Sequence, residues 1–162
     1  MTQEKDYIGG LIKKTLEEEG RSVKWLAEKI QCKRRNIYDI FERVSIDTVQ
    51  LLRISLVLKT NFFVYFSEIY ESMTDKTEDA PKICYTIPQD EVLIGCLIKK
   101  KLEEDGHSVK WLAKKIHSKR SNVYDIFNRA SIDTARLLRI CLALDTNFFE
   151  YYCDLYKNMM SH

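Results

Sequence analysis

The sequence predicts an all-α protein in which two tandem five-helix domains are joined by a proline-containing linker. The first observation is an internal repeat: a shift of 86 residues maps residues 8–70 onto residues 94–156, with about two thirds of the positions identical. A period this long is typical of a duplicated domain rather than a solenoid repeat. The second observation is that apolar residues recur at helical spacing in both copies. The third is that both prolines, Pro81 and Pro88, lie between the copies.

The first helix of each copy is predicted from apolar residues along one face. In the first copy these residues are Ile8, Leu11, Ile12 and Leu16, which recur at intervals of three and four positions. Gly20 then marks the end of the helix, because glycine readily takes the left-handed conformation that follows many helices.

The next two helices are predicted within residues 22–43, a stretch that returns with few changes at residues 108–129. Ser22 suits the N-cap of the first of them. Each of the two helices has one narrow apolar face. These faces are formed by Leu26, Ala27 and Ile30 in the first helix and by Ile37, Ile40 and Phe41 in the second. Two such faces can pack on each other if the helices cross.

A fourth helix can begin after Asp47 or Ser45, and a fifth after Asn61. The fifth is aromatic, with Phe62 and Phe66 four residues apart on one face, so it is first of all a core helix. Nine tyrosines in the chain leave some for an exposed patch where the two copies, or two chains, could meet. The second copy repeats the helix-end and cap signals at Gly106, Ser108, Asp133 and Asn147.

Basic residues open the third helix of each copy: Lys33, Arg34 and Arg35 in the first, and Lys119 and Arg120 in the second. The positive end of the helix dipole makes cations mildly unfavourable there. A rule of helix stability is therefore broken twice at the same place, which points to function. The simplest partner for cations and amide donors at a helix start is a polyanion, and such a helix fits the major groove of DNA. A merely solvated basic face is the alternative, since exposed Lys and Arg are the norm.

At these residues the chain resembles the Xre, or lambda-repressor-like, class of helix-turn-helix proteins. The small residue that the family carries in the first helix of its motif matches Ala27 and Ala113. Gln31 and His117 stand where the family has its turn glycine. The family's apolar positions match Leu26, Ile30, Ile37 and Ile40 in one copy and Leu112, Ile116, Val123 and Ile126 in the other. The resemblance implies a five-helix lambda-repressor-like domain for each copy, whose second and third helices form the DNA-binding motif.

The motif and the helix positions that face away from the apolar stripe predict the DNA-contacting residues. The predicted base-reading surface consists of Lys33, Arg34, Arg35, Asn36 and Tyr38 in the first copy and Lys119, Arg120, Ser121, Asn122 and Tyr124 in the second. The two asparagines could bind an adenine edge or a phosphate. Lys24, Arg43, Lys110 and Arg129 are predicted to contact phosphates. Because Arg35 is replaced by Ser121 and Gln31 by His117, the two half-sites are expected to differ. Drift after duplication is the alternative explanation of these differences.

Trp25 and Trp111 occupy a position that the family usually leaves polar. Each is therefore either a lid over the first helix or part of a contact surface. The predicted domains are residues 1–72 and 93–162, with residues 73–92 as the linker. The linker segment KICYTI alternates enough to form a short strand, and a loose linker with one sticky segment is the alternative.

Composition excludes several classes of function. Each copy holds 11 Lys and Arg against 8 Asp and Glu, so the basic charge lies in the repeats although the whole chain carries +2. The five cysteines lack metal-ligand spacing, which favours reduced thiols and no metal site. The sequence contains no long apolar run or signal-peptide pattern, which favours a cytoplasmic protein. It also contains no phosphate-binding loop or nucleophile motif, so no enzymatic activity and no cofactor are expected.

Together these observations predict a transcriptional regulator that binds double-stranded DNA sequence-specifically, most simply a repressor that occludes polymerase. Pairing of the two domains within one chain and homodimer formation are both left open, as is a protein partner. The alternative function is a protein-interaction module, antitoxin-like or regulator-binding, that keeps the fold while the basic helix docks an acidic protein.

Overall fold

The computed structural model describes residues 7–74 and 94–161, and the regular secondary structure there is α-helical apart from one isolated bridge. The first stretch contains α1 (Ile8–Glu18), α2 (Val23–Lys29), α3 (Arg34–Phe41), α4 (Thr48–Leu58) and α5 (Phe63–Thr74). The second contains α6 (Ile94–Glu104), α7 (Val109–Lys115), α8 (Arg120–Phe127), α9 (Thr134–Leu144) and α10 (Phe149–Met160). The all-α prediction is confirmed for these residues. The predicted strand KICYTI, at residues 82–87, lies outside them, as does the linker from residue 75 onward.

Polar side chains cap the helices at the predicted positions. Ser22 Oγ accepts a hydrogen bond from a backbone N–H of α2 at 3.0 Å. Asp47, rather than Ser45, caps α4, and Asn61 Oδ1 accepts from the first N–H of α5 at 3.1 Å. Caps of this kind each stabilise a helix by about 1 kcal/mol. The second copy repeats them at Ser108, Asp133 and Asn147.

Glycine is required where α1 crosses the end of α3. A Cβ on Gly9 would collide with the backbone carbonyl oxygens of Ile40 and Phe41. The Gly9 N–H donates to the Arg43 carbonyl oxygen at 3.1 Å, which fixes the two segments against each other. Gly95 has the same relation to the end of α8. Since glycine is a poor helix former, close packing and not helix propensity decides the residue at these positions.

The turn between the second and third helices of each copy adopts a left-handed conformation. Gln31 has φ 58° and His117 has φ 55°. Glycine is favoured in this left-handed region because glycine has no Cβ. The N–H of Cys32 donates to the Ala27 carbonyl oxygen at 2.9 Å, which closes the turn. Gln31 and His117 thus adopt a backbone conformation that is typical of glycine.

The two copies share one hydrophobic core. Phe63 of α5 stacks on Tyr152 of α10 with ring centroids 4.7 Å apart, and Phe66 stacks on Phe149 at 5.2 Å. All four rings are buried. In addition, α5 packs on α9 and α10 packs on α4, so each copy contributes the same pair of helices to the interface. The aromatic fifth helix is therefore a core helix whose partner is the other copy.

A short antiparallel pairing, which we call the threonine clasp, joins residues 46–48 to residues 132–134. The N–H of Thr48 donates to the Ile132 carbonyl oxygen, and that of Thr134 donates to the Ile46 carbonyl oxygen, both at 2.9 Å. In return, Thr134 Oγ1 accepts from the Ile46 N–H at 3.0 Å, and Thr48 Oγ1 accepts from the Ile132 N–H at 3.1 Å. Both threonines are fully buried. These reciprocal bonds relate the copies as an isologous interface relates two subunits.

One hydrogen bond makes the interface between the copies unequal. The Tyr152 hydroxyl donates to Thr48 Oγ1 at 2.9 Å, whereas Phe66, which has no hydroxyl, stands at the equivalent position of the first copy. By contrast, the Asn147 side chain donates to Ser67 Oγ at 2.7 Å, and Asn61 interacts with the Cys153 side chain at the equivalent place. The first copy is therefore matched to the second better than to another copy of itself.

Candidate nucleic-acid interface

The third helix of each copy presents its predicted reading residues to solvent. In α3, Ile37, Ile40 and Phe41 are buried against the core. Arg34, Arg35, Asn36 and Tyr38 are exposed on the remaining surface. In α8, Arg120, Ser121 and Tyr124 are exposed and Asn122 is half-buried.

A lysine stands at the N-cap of each of these helices, where most N-caps carry Ser, Thr, Asp or Asn. In the described part of each copy, no side chain caps α3 after Lys33 or α8 after Lys119. By contrast, the helices on either side of them, such as α2 and α4, do have side-chain caps. The N–H groups of Asn36 and Asn122 donate to the carbonyl oxygens of Lys33 and Lys119, but no side chain of the described residues competes with an external acceptor at either helix start. Anions bind well at such a helix start.

The reading tyrosines are held in the same orientation in both copies. The exposed fraction is 58% for Tyr38 and 57% for Tyr124. Each ring meets its neighbour Phe41 or Phe127 edge-on, with centroids 6.2 Å apart. The ring is therefore supported on one side by the core and open on the other.

The reading asparagines differ between the copies. The Asn122 side chain donates to Ser118 Oγ at 3.1 Å, which ties it to the turn before α8. Cys32 replaces that serine in the first copy, where Asn36 is exposed. Asn36 is consequently better placed than Asn122 to contact a base or a phosphate.

The predicted phosphate-contacting residues lie before and after α3 and α8 along the chain. Lys24 and Lys110 are exposed in the first turns of α2 and α7. Arg43 and Arg129 are exposed just beyond the ends of α3 and α8. Each copy therefore has an exposed cation just beyond the end of its third helix and another at the start of its second helix, and exposed cations of this kind can contact phosphates.

These cations are not neutralised by neighbouring carboxylates. Within residues 7–74 and 94–161, no predicted DNA-contacting lysine or arginine lies within salt-bridge distance of an acidic side chain, and the pair that does form there joins Lys101 to Asp105 at 3.2 Å. Their charge is available to an external polyanion, which would release counterions on binding.

The tryptophans are covered by residues of their own copy. Trp25 is half-buried, and the Arg21 guanidinium lies 4.7 Å from its ring centroid. In the second copy His107 stacks on Trp111 with centroids 3.6 Å apart and the ring planes within 5°. Each tryptophan therefore holds the segment that leads into α2 or α7 and presents little open ring face.

Sequence reasoning missed two acidic residues on the reading helices. Asp39 in α3 and Asp125 in α8 are exposed, each four positions after the residue that differs between the copies, Arg35 or Ser121. A helical projection of the sequence places them on the outward face. The predicted DNA-contacting residues did not include these two aspartates.

The threonine clasp ties the two reading helices together. Asp47 and Asp133 form the bridge, and each lies six positions after the end of α3 at Phe41 or of α8 at Phe127. Six extended residues reach about 20 Å, so the ends of the two helices lie within roughly 50 Å of each other. The 34 Å or so between successive turns of duplex DNA falls within that limit.

Other kinds of site are absent from the two described stretches. No group of three or more His, Cys, Asp or Glu side chains there could hold a metal ion. Among the ten helices, none is long and apolar enough to cross a membrane.

The chain matches no protein-family model, no curated protein and no solved structure. Its function is therefore inferred from its own residues and their placement.

Proposed function

We propose that this chain is a non-enzymatic transcriptional regulator that binds double-stranded DNA sequence-specifically, most simply a repressor that occludes polymerase. Each copy then acts as a lambda-repressor-like helix-turn-helix domain that places α3 or α8 in the major groove. The observation that carries this proposal is an exposed helix start with cations and without a side-chain cap, present in both copies.

The arrangement of the cations supports a duplex rather than an isolated anion. Arg34 and Arg35 lie in the first turn of α3, while Lys24 lies in the first turn of α2 and Arg43 just beyond the end of α3. Phosphate contacts at the flanks fix the register of a protein on the duplex, and side chains on the intervening helix can then read base edges.

The interface between the copies supports binding to two half-sites by one chain. Because the clasp and the stacked rings hold the copies together, α3 and α8 keep a fixed relation. Binding by the first copy then presents the second to its half-site at an effective concentration in the millimolar range. We propose inverted half-sites about one helical turn, or roughly 34 Å, apart, because the reciprocal clasp relates the copies by an approximate twofold axis.

The proposal is tested by selecting bound sequences from random duplexes with the whole chain and then measuring affinity at several salt concentrations. Contacts to roughly 4 to 8 phosphates should make the logarithm of the affinity fall with a slope of about −0.9 per contact. A salt-independent affinity, or a stable protein complex that is indifferent to DNA, would contradict the proposal and favour the protein-interaction alternative.

Base reading is tested separately with Arg34→Ala and Lys24→Ala. Loss of Arg34 should cost about 1 to 3 kcal/mol of binding free energy and relax base preference in one half-site. Loss of Lys24 should weaken binding to all sequences alike, because a phosphate contact carries no sequence information. Identical, sequence-blind losses in both variants would show that α3 does not read bases.

A further inference from the structure

The face of α3 that points away from the core carries a carboxylate, that of Asp39. Three residues of α3, Ile37, Ile40 and Phe41, are buried. At about 100° per residue, the direction opposite to them falls between Arg35 and Asp39, which lie one turn apart. Asp39 is exposed there.

The second copy repeats this arrangement. In α8, Val123, Ile126 and Phe127 are buried, and Ser121 and Asp125 take the outward positions. The aspartate is thus kept where its outward neighbour changes from arginine to serine.

Among the described residues, neither aspartate forms an ion pair that would stabilise its helix. Aspartate is a weak helix former, and a negative charge in the last turn of a helix is unfavourable because the helix carbonyls point toward it. Neither Asp39 nor Asp125 lies within salt-bridge distance of a cation in the described part of the chain. At a surface that approaches phosphates, an added negative charge also weakens non-specific attraction.

We infer that Asp39 and Asp125 determine specificity at one base pair of each half-site by accepting a hydrogen bond from an exocyclic amino group. This inference rests on the proposed DNA-binding function. In the major groove every base pair displays one amino group, on the strand that carries adenine or cytosine, and a keto oxygen on the strand that carries thymine or guanine. An ionised carboxylate accepts hydrogen bonds and donates none, so it pairs with the amino group and is repelled by the keto oxygen.

A carboxylate acceptor predicts which bases are allowed at one position of each DNA half-site. The strand nearest each aspartate should carry adenine or cytosine, with thymine and guanine excluded. Since both copies have the aspartate, this position should occur at equivalent places in both half-sites. The positions facing Arg35 and Ser121 should differ between the half-sites.

The test compares selections from random duplexes with the whole wild-type chain and with Asp39→Asn and Asp125→Asn. Asparagine has nearly the same shape but also donates hydrogen bonds, so it can pair with keto oxygens as well as with amino groups. Preference for adenine or cytosine, about 5- to 100-fold in the wild type, should disappear at one position. Asp39→Asn should relax it in one half-site and Asp125→Asn in the other.

Glu42→Gln is the matched control, because it removes one negative charge from the exposed C-cap of the same helix. It should leave the selected sequences unchanged. If Asp39→Asn and Glu42→Gln both raise the affinity for all sequences equally, the aspartates act through charge and the inference is overturned. Wild-type protein that selects no duplex at all would instead overturn the proposed function. Melting temperatures of the variants show whether each is folded.

Discussion

At the scale of single residues, the structure separates positions that look alike in the sequence. Gly9 and Gly10 are adjacent in α1, but a Cβ added at Gly9 would collide with the backbone at the end of α3. In the second copy Gly95 keeps the first of these positions, while the exposed Cys96 replaces the second glycine. A glycine is therefore needed at one position of the pair and tolerated at the other.

Gly9→Ala should lower the free energy of unfolding by about 1 to 3 kcal/mol or more, because the added methyl forces α1 away from α3. Gly10→Ala is the matched control and should be neutral or stabilising by up to about 1 kcal/mol, since alanine favours the helix. Chemical denaturation of both variants checks this. Equal stabilities would show that α1 can move without cost.

A buried thiol makes the second copy sensitive to alkaline pH. Cys141 is fully buried, and this burial raises the pKa of its thiol to about 12 from a usual value of 9.0. Its Sγ accepts a hydrogen bond from the Phe148 N–H at 3.4 Å. Ser55, at the equivalent position of the first copy, accepts from the Phe62 N–H at the same distance.

Because the folded-state pKa of Cys141 is raised, its contribution to stability is complete below pH 9 and is lost as the pH rises toward 12. The loss should be about 1.4 kcal/mol per pH unit in that window. Cys141→Ser, which copies the first half of the chain, should remove most of this loss between pH 9 and 10. Denaturation at pH 8, 9 and 10 measures it, with Cys96→Ser as an exposed control. If the stability of Cys141→Ser fell with pH as steeply as that of the wild type, groups other than Cys141 would cause the loss of stability.

At the scale of structural elements, the threonine clasp joins the two copies through a pairing of two short segments in place of longer β-strands. Thr48 and Thr134 satisfy the buried N–H groups of Ile132 and Ile46. Buried donors that lose their acceptor cost free energy because they have also lost water. The clasp is therefore specific to threonine, although valine has nearly the same shape.

Thr134→Val should destabilise the protein by about 1 to 3 kcal/mol, because it leaves the Ile46 N–H buried and unpaired. Thr48→Val should cost more, since the Tyr152 hydroxyl also loses its acceptor. Tyr152→Phe, which copies Phe66, removes the hydroxyl and should cost about 0.5 to 1.5 kcal/mol. Denaturation midpoints rank the three variants. The reverse order for the two threonines would contradict the assigned hydrogen bonds.

At the scale of the whole molecule, the two copies share one hydrophobic core, from which we expect them to fold as one unit. Phe63 and Phe66 are buried by α10, and Phe149 and Tyr152 are buried by α5. A separated copy would expose these aromatic side chains to water, and a unit of about 60 residues is only marginally stable to begin with.

Residues 1–75 and 88–162, expressed separately, should each be largely unfolded or self-associated and should form a 1:1 complex when mixed. The hydrogen bond from Tyr152 to Thr48 would be missing from a pair of first copies, because Phe66 stands at the position of Tyr152. Circular dichroism and sedimentation velocity measure folding and stoichiometry. Two stable monomers that melt like the whole chain would show that the copies fold independently.

The sequence by itself determined the order of the helices and most of their caps. Ser22, Asp47 and Asn61 act on the backbone within three residues, and the apolar spacing of α1 or α3 follows from the helical period. Exposure of the cations on α3 and α8 was predictable for the same reason, because the buried face of a helix fixes the exposed one.

The tertiary structure decided how the copies meet and which residues that meeting constrains. The clasp joins Ile46 to Thr134, 88 positions apart, and a separate hydrogen bond joins Tyr152 to Thr48, 104 positions apart. Helical periodicity describes one helix at a time, so it predicted that the fifth helix was apolar but left its partner open. The need for glycine at Gly9 likewise arises from a backbone that lies more than thirty residues further along the chain. Local chemistry therefore gave the helices, and contacts between distant segments gave their assembly.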